Sequence, residues 1–368
     1  MESLRTRITA LLGGLLVVLA AGVLLPGTAH ATSRVRTVPT DYPTIQAAVD
    51  AAQPGDEIRV RPGTYREQLF VGKDLRISGA GADTTRILAP AVLAPGEDGG
   101  TSIVEIHGGA RVAMSRLAVS GPGSGTCASG ALGSGIRVLS GGHLDLNNAA
   151  VSHITDTPAA PCPHSAVGIF VGDFPTGTGS ATIRNSRISD YQGSGVTVLN
   201  AGSSVSVLES EVTGHPTIST DGIGFVLGAT GTVARSTITD NACRPSDSQC
   251  GPDFFSQTQH AGIVAGAPGT VITGNSVNRN QVGIYAVGSA DLSRNSLTDN
   301  DYFGMALQDG TFTVRQHRIE GGVGGVAVIA ATADTTATLD RVSIRRTSGA
   351  PVQIFECCGF TATATTRR

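Results

Sequence analysis

Gly262-Ile263, Gly283-Ile284, Gly304-Met305 and Gly325-Val326 recur every 21 residues. Between them, Asn275-Ser276-Val277-Asn278-Arg279-Asn280 matches Asn295-Ser296-Leu297-Thr298-Asp299-Asn300. A fixed period of this length marks stacked structural repeats. One repeat, Gly283 to Phe303, holds three short alternating runs: Ile284-Tyr285-Ala286-Val287, Ala290-Asp291-Leu292-Ser293 and Ser296-Leu297-Thr298. Gly, Asn and Asp separate them. Period-2 alternation between such residues reads as strand and turn, and no run has the length of a crossover helix. Three strands per repeat, each lying on its counterpart one repeat away, predict an all-β fold. That fold is a single-stranded parallel β-helix, a solenoid with coils about 4.8 Å apart. Parallel crossovers are right-handed in nearly all cases, so the solenoid is expected to be right-handed.

The pattern extends towards the N-terminus with longer gaps, through Gly222-Ile223, Gly195-Val196, Gly168-Ile169 and Gly135-Ile136, and Pro351-Val352-Gln353-Ile354 closes it. Most of the extra length falls just before the Gly-apolar pair. Insertions at one recurrent turn line up on one side of a solenoid, often the binding side. The Asn near the second turn recurs at Asn148, Asn185, Asn275 and Asn295. These are expected to stack as a hydrogen-bonded ladder, and Asn tolerates the left-handed backbone of a tight bend.

Composition agrees. Aromatic residues make up 4% of the chain and Trp is absent, as suits coils too narrow for many rings. The formal net charge of −3 argues against nucleic acid as the main partner. The length suits one elongated domain, expected to be a monomer. Residues 1–31 read as a secretory signal: Arg5 and Arg7, then an uncharged run from Ile8 to Leu25, then Ala29-His30-Ala31. The mature protein is expected to be secreted, with no membrane association after cleavage. The solenoid domain is placed at 32–356, with a cap at 41–53 and a C-terminal tail at 357–368.

In the cap, Thr44 precedes Ile45, Ala48, Val49 and Ala52, spaced as one apolar helix face, and Pro54-Gly55 stops it. An N-terminal capping helix here would cover the open first coil and its unpaired strand edges. Six cysteines in an exported chain suggest disulfides. Neighbouring loops favour Cys127 with Cys162, and a shared insertion favours Cys243 with Cys250. Cys357-Cys358 either form a vicinal bond or stay reduced. No paired C-x-x-C spacing supports a metal site, and no cofactor is expected.

On these repeats the chain resembles the pectin-lyase-like superfamily of right-handed β-helices over nearly all of its mature length. Thr44 to Gly79 is similar to the opening of pectinesterases, with Gly63-Thr64-Tyr65-Arg66-Glu67 matching their Gly-x-Tyr-x-Glu. Its place in the first coil points to a structural role. The resemblance implies a polysaccharide groove along the strands that follow the repeat glycines. With the first apolar residue inward, the next points out: Arg137, Phe170, Thr197, Gly224, Val264, Tyr285, Ala306, Ala327 and Gln353. Arg137, Phe170 and Tyr285 are the candidate substrate-binding residues of this strip.

Hydrolysis of a polysaccharide needs two carboxyl groups flanking the bond. Lyase chemistry needs a base and a group that stabilises the developing charge. Asp190, Asp221, Asp253 and His260 are the candidate catalytic set, because they fall in neighbouring insertions. The motifs of known activities are missing. Asp253-Phe254-Phe255 departs from the esterase pattern after two residues, and no polygalacturonase or pectate-lyase set is present. Two readings therefore stay open: a carbohydrate-active enzyme of lyase, epimerase or hydrolase type, and a noncatalytic extracellular solenoid that binds glycan or another surface.

Overall fold

The computed structural model describes residues 33–124, 131–155, 166–215, 219–242 and 260–367. The chain coils through three parallel sheets of 13, 11 and 11 strands. Each coil lays one strand on the first sheet, turns to the second and crosses to the third, as in Ala290–Ser293, Ser296–Thr298 and Phe303–Gln308. The long insertions all leave between the second and third sheets.

The inward residue after each repeat glycine forms one continuous file. Ile136, Ile169, Val196, Ile223, Ile263, Ile284, Met305 and Val326 are register partners in succession. All are fully buried, each contributing roughly 1.5–3 kcal/mol. The repeat glycine itself is required by close approach. A Cβ on Gly135, Gly168, Gly195 or Gly262 would stand 2.8, 2.5, 2.7 or 2.9 Å from the carbonyl oxygen of the repeat glycine one coil on. No side chain fits at that corner.

The corner between the first and second sheets corrects the expected ladder. Asn148 and Asn185 occupy left-handed positions with φ of 50° and 48° and are exposed. Asn275 and Asn295 lie one residue further along and are buried. Gly274 and Arg294 take the left-handed bend in those coils. The interior file is completed by serines: Ser186 N donates to Ser210 Oγ at 3.2 Å, Ser210 N to Ser236 Oγ at 3.1 Å, and Ser236 N to Asn275 Oδ1 at 2.9 Å. Asn241, Asn280 and Asn300 build a second buried ladder between the second and third sheets.

The N-terminal cap is a helix, Ile45–Ala51, with Thr44 Oγ1 accepting from Ala47 N at 3.1 Å. Its buried face is Ile45, Ala48 and Val49. Glu67 of the Gly-x-Tyr-x-Glu match accepts from Ile45 N at 3.0 Å and Gln46 N at 2.8 Å. That carboxylate meets the unpaired N–H groups at the positive end of the helix. At the other end, the segment read as a tail supplies the strand Ala362–Arg367, paired with Thr335–Asp340. Cys357 and Cys358 are bonded to each other in the turn before it. Cys127, Cys162, Cys243 and Cys250 lie outside the described residues.

Candidate functional site

The outer face of the third sheet carries the strip. Arg137, Phe170, Thr197, Gly224, Val264, Tyr285, Ala306, Ala327 and Gln353 are register partners in order. Two residues precede them in the same file, Phe70 and Glu105. Neither follows a Gly-apolar pair: Gln68-Leu69 precedes Phe70 and Ile103-Val104 precedes Glu105. The visible signal was a charged residue at an outward position of Ile103-Val104-Glu105-Ile106.

Arg137 and Phe170 meet directly. The guanidinium carbon lies 4.6 Å from the ring centroid, a cation–π stack. Arg137 Nη2 also donates to Asp98, which belongs to the insertion between Thr85–Leu88 and Ser102–Ile106. This insertion folds back as a small hairpin. Pro95 bridges Thr101, and Gly96 N donates to Gly100 O at 2.7 Å. The hairpin lies on the strip: a Cβ on Gly96 would meet Glu105 Cδ at 2.5 Å, and one on Gly100 would meet Arg137 Cζ at 2.6 Å.

Glu105 beneath it is 1% exposed. Its Oε1 accepts from Glu97 N at 3.0 Å, while Oε2 has no hydrogen-bond partner among the described residues. Burial pushes its pKa above the ordinary carboxyl value, and nearby Asp98 adds to the rise. Arg137 Nε is likewise buried without a hydrogen-bond partner among the described residues. Glu97 is tied to the opposite corner, where its Oε2 accepts from Ser140 Oγ at 2.7 Å. A buried carboxyl that favours its proton, beside an arginine stacked on an aromatic ring, has the makings of proton donation and anion binding in one place.

Tyr285 stands four coils from Phe170, about 19 Å at the ~4.8 Å strand spacing. Its hydroxyl bonds Gln308, and burial raises its pKa. Around it the strip turns apolar. Val282, Phe303, Ala306, Ala327 and Ile329 form a cluster of their own on this outer face, flanked by Tyr302 and Phe355. Arg137 and Phe170 thus share one place, and Tyr285 a second.

The candidate acids sit along the edge from which the insertions leave. Asp190 lies between two histidines, with His153 Nε2 and His215 Nε2 each 3.4 Å from its carboxylate. Asp221 Oδ1 accepts from Ala261 N at 2.8 Å. His260 is 5% exposed, and its backbone N donates to Gln281 Oε1 at 2.8 Å. Asp221 and His260 therefore flank the same pair of coils, joined through Ala261. Asp253 lies outside the described residues. No helix among the described residues is long and apolar enough to cross a membrane.

A family model described as the right handed beta helix region matches residues 103–291 and 168–344. Among solved structures, the chain is similar to the mannuronan C-5 epimerase AlgE6 A-module of Azotobacter vinelandii, with 14% identity and a TM-score of 0.55 over 88% of this chain and 93% of that one. It is also similar to the Agl-KA catalytic domain, with 15% identity and a TM-score of 0.51 over 87% of this chain. The chain spans 64% of the length of that domain. No curated protein matches it. These likenesses show the fold.

Proposed function

The chain belongs to the family of the right handed beta helix region, and from that premise we propose that it is exported, binds polysaccharide along the outer face of the third sheet, and acts on it. The residues 1–31 carry the export signal. Arg137 and Phe170 offer an anion seat and a stacking surface, and Tyr285 offers a second aromatic contact further along. A linear file of outward residues suits a linear polymer. Asp190, Asp221, Asp253 and His260 are the acid–base groups of this reading; Asp190, Asp221 and His260 lie along the edge of the strip. Glu105 joins them as a buried carboxyl whose pKa burial raises.

The observation that carries the reading is the Arg137–Phe170 stack beside the buried Glu105 at the head of an in-register strip. A mannuronan C-5 epimerase module shares the fold, but the residues of this chain are the ground for the proposal. Asp221 favours the second reading, a noncatalytic binder, because its Oδ1 already accepts from Ala261 N and so serves the backbone.

The test is a panel of acidic and neutral polysaccharides, followed by absorbance of unsaturated products, reducing ends and epimer composition. An enzyme yields one of these signals, and Asp221→Asn or His260→Ala lowers it at least tenfold. Binding without any product supports the second reading. Full activity in both variants removes Asp221 and His260 from the site.

A further inference from the structure

Asp98 occupies the place at Arg137 that an incoming carboxylate would need. Its carboxylate accepts from Arg137 Nη2, on the guanidinium that Phe170 stacks against. It reaches that position only because the hairpin bends sharply. Gly99 takes a φ of 81°, its N donates to Gly96 O at 3.1 Å, and Gly100 N donates to Asp98 Oδ1 at 3.0 Å. The tip reads Glu97-Asp98-Gly99-Gly100 and carries no apolar side chain. Lifting it therefore exposes little hydrophobic surface. It would expose a buried Glu105 oxygen and a buried Arg137 N–H that have no partner among the described residues. Buried polar groups without partners are costly, and a ligand carrying both donors and acceptors satisfies them.

We propose that the hairpin 95–101 is a displaceable strap and that Asp98 is an internal stand-in for the carboxylate of an acidic ligand at Arg137. The strap rests on the reading above, that the outer face of the third sheet is the ligand face. It adds that this face is self-occupied at its N-terminal end. A carboxylate-bearing sugar binds by exchanging its own anion for that of Asp98. Charge at Arg137 is balanced before and after, so the exchange costs no unpaired buried ion. A neutral sugar offers the guanidinium hydroxyl acceptors but no charge to replace that of Asp98, and leaves the strap in place.

The experiment measures binding of alginate oligosaccharides, and of the same oligosaccharides with their carboxyl groups reduced, by calorimetry. Asp98→Asn is expected to raise affinity for the carboxylated probe tenfold or more and leave the reduced probe unchanged. Adding Arg137→Gln to Asp98→Asn is expected to remove the gain. Wild-type binding with no gain in Asp98→Asn would overturn the strap while leaving the ligand face intact. No binding by any folded variant would overturn both. Hydrogen exchange on the wild type gives an independent check: the Gly96 and Gly100 amides should exchange faster when the carboxylated probe is bound. Unchanged protection with probe bound would also overturn the strap.

Discussion

Asn295 Oδ1 accepts two hydrogen bonds from Asn275, one from its backbone N and one from Nδ2, both at 2.9 Å. Both residues are buried, so each bond replaces one that water would make in the unfolded chain. The same geometry recurs from Asn241 to Asn280 and from Asn280 to Asn300. The ladders take up the backbone N–H groups of Asn241, Asn275 and Asn280 at the two corners, while the carbonyls of those residues accept from the backbone of the next coil.

Asn295→Ala leaves the backbone N–H of Asn275 buried and unpaired and takes one of the two bonds from its Nδ2, which keeps Val233 O at 2.8 Å. A loss of about 3 kcal/mol is expected, read from urea unfolding. Asn295→Ser should lose roughly half as much, because Ser210 and Ser236 serve the backbone donor with a single Oγ in earlier coils. Equal losses would show that the serine Oγ does not serve the backbone donor here.

His317 ends this file, 2% exposed, and burial pushes its pKa from 6.5 down to about 4. The unfolded chain therefore binds the extra proton first. Stability is full above pH 6.5 and falls as the pH drops towards 4, by about 3 kcal/mol in all. His317→Asn should flatten that fall and extend the ladder by offering Oδ1 to Asn295. Thermal unfolding across this range checks both outcomes.

Glu67 anchors the start of the helix Ile45–Ala51 through two backbone donors. Glu67→Ala should cost about 1–2 kcal/mol and speed amide exchange at Ile45 and Gln46. Polysaccharide binding should not change. A selective loss of binding would return the Gly-x-Tyr-x-Glu match to a functional role.

The stacked interior was legible from spacing alone, because Ile263, Ile284, Met305 and Val326 share one period and one face. So was the outward order of Arg137 and Phe170, since side chains alternate along a strand. The ladder was legible in its later coils only. Ser186, Ser210 and Ser236 do the work of Asn without looking like it, and Asn148 and Asn185 sit one residue early. Glu105 and Asp98 were missed for a different reason. Glu105 sits on a coil without the glycine signature and Asp98 in an insertion, and no period links the two.

Glu105 makes the strap sensitive to pH. The charged and titratable groups facing it are Glu97 and Asp98 on the hairpin, His107 just past the end of its own strand and Arg137 on the next. The closed form holds the Glu105 proton more tightly than an open form does. Closure is therefore favoured below the ordinary value of 4.5 and weakens as pH rises through the raised one. Protection of the Gly100 amide, corrected for intrinsic exchange, should fall as pH rises over that window. Glu105→Gln should abolish the trend, and a rise with pH would contradict it.

The most direct test is a hydrogen-exchange footprint of the wild-type protein with a bound oligosaccharide from the panel. Protection is expected along the third sheet, at the strands carrying Arg137, Phe170 and Tyr285, and at the edge around Asp190 and Asp221. Protection centred instead on the first sheet, where Gly269, Asp291, Thr313 and Arg315 line a shallow hollow, would contradict it.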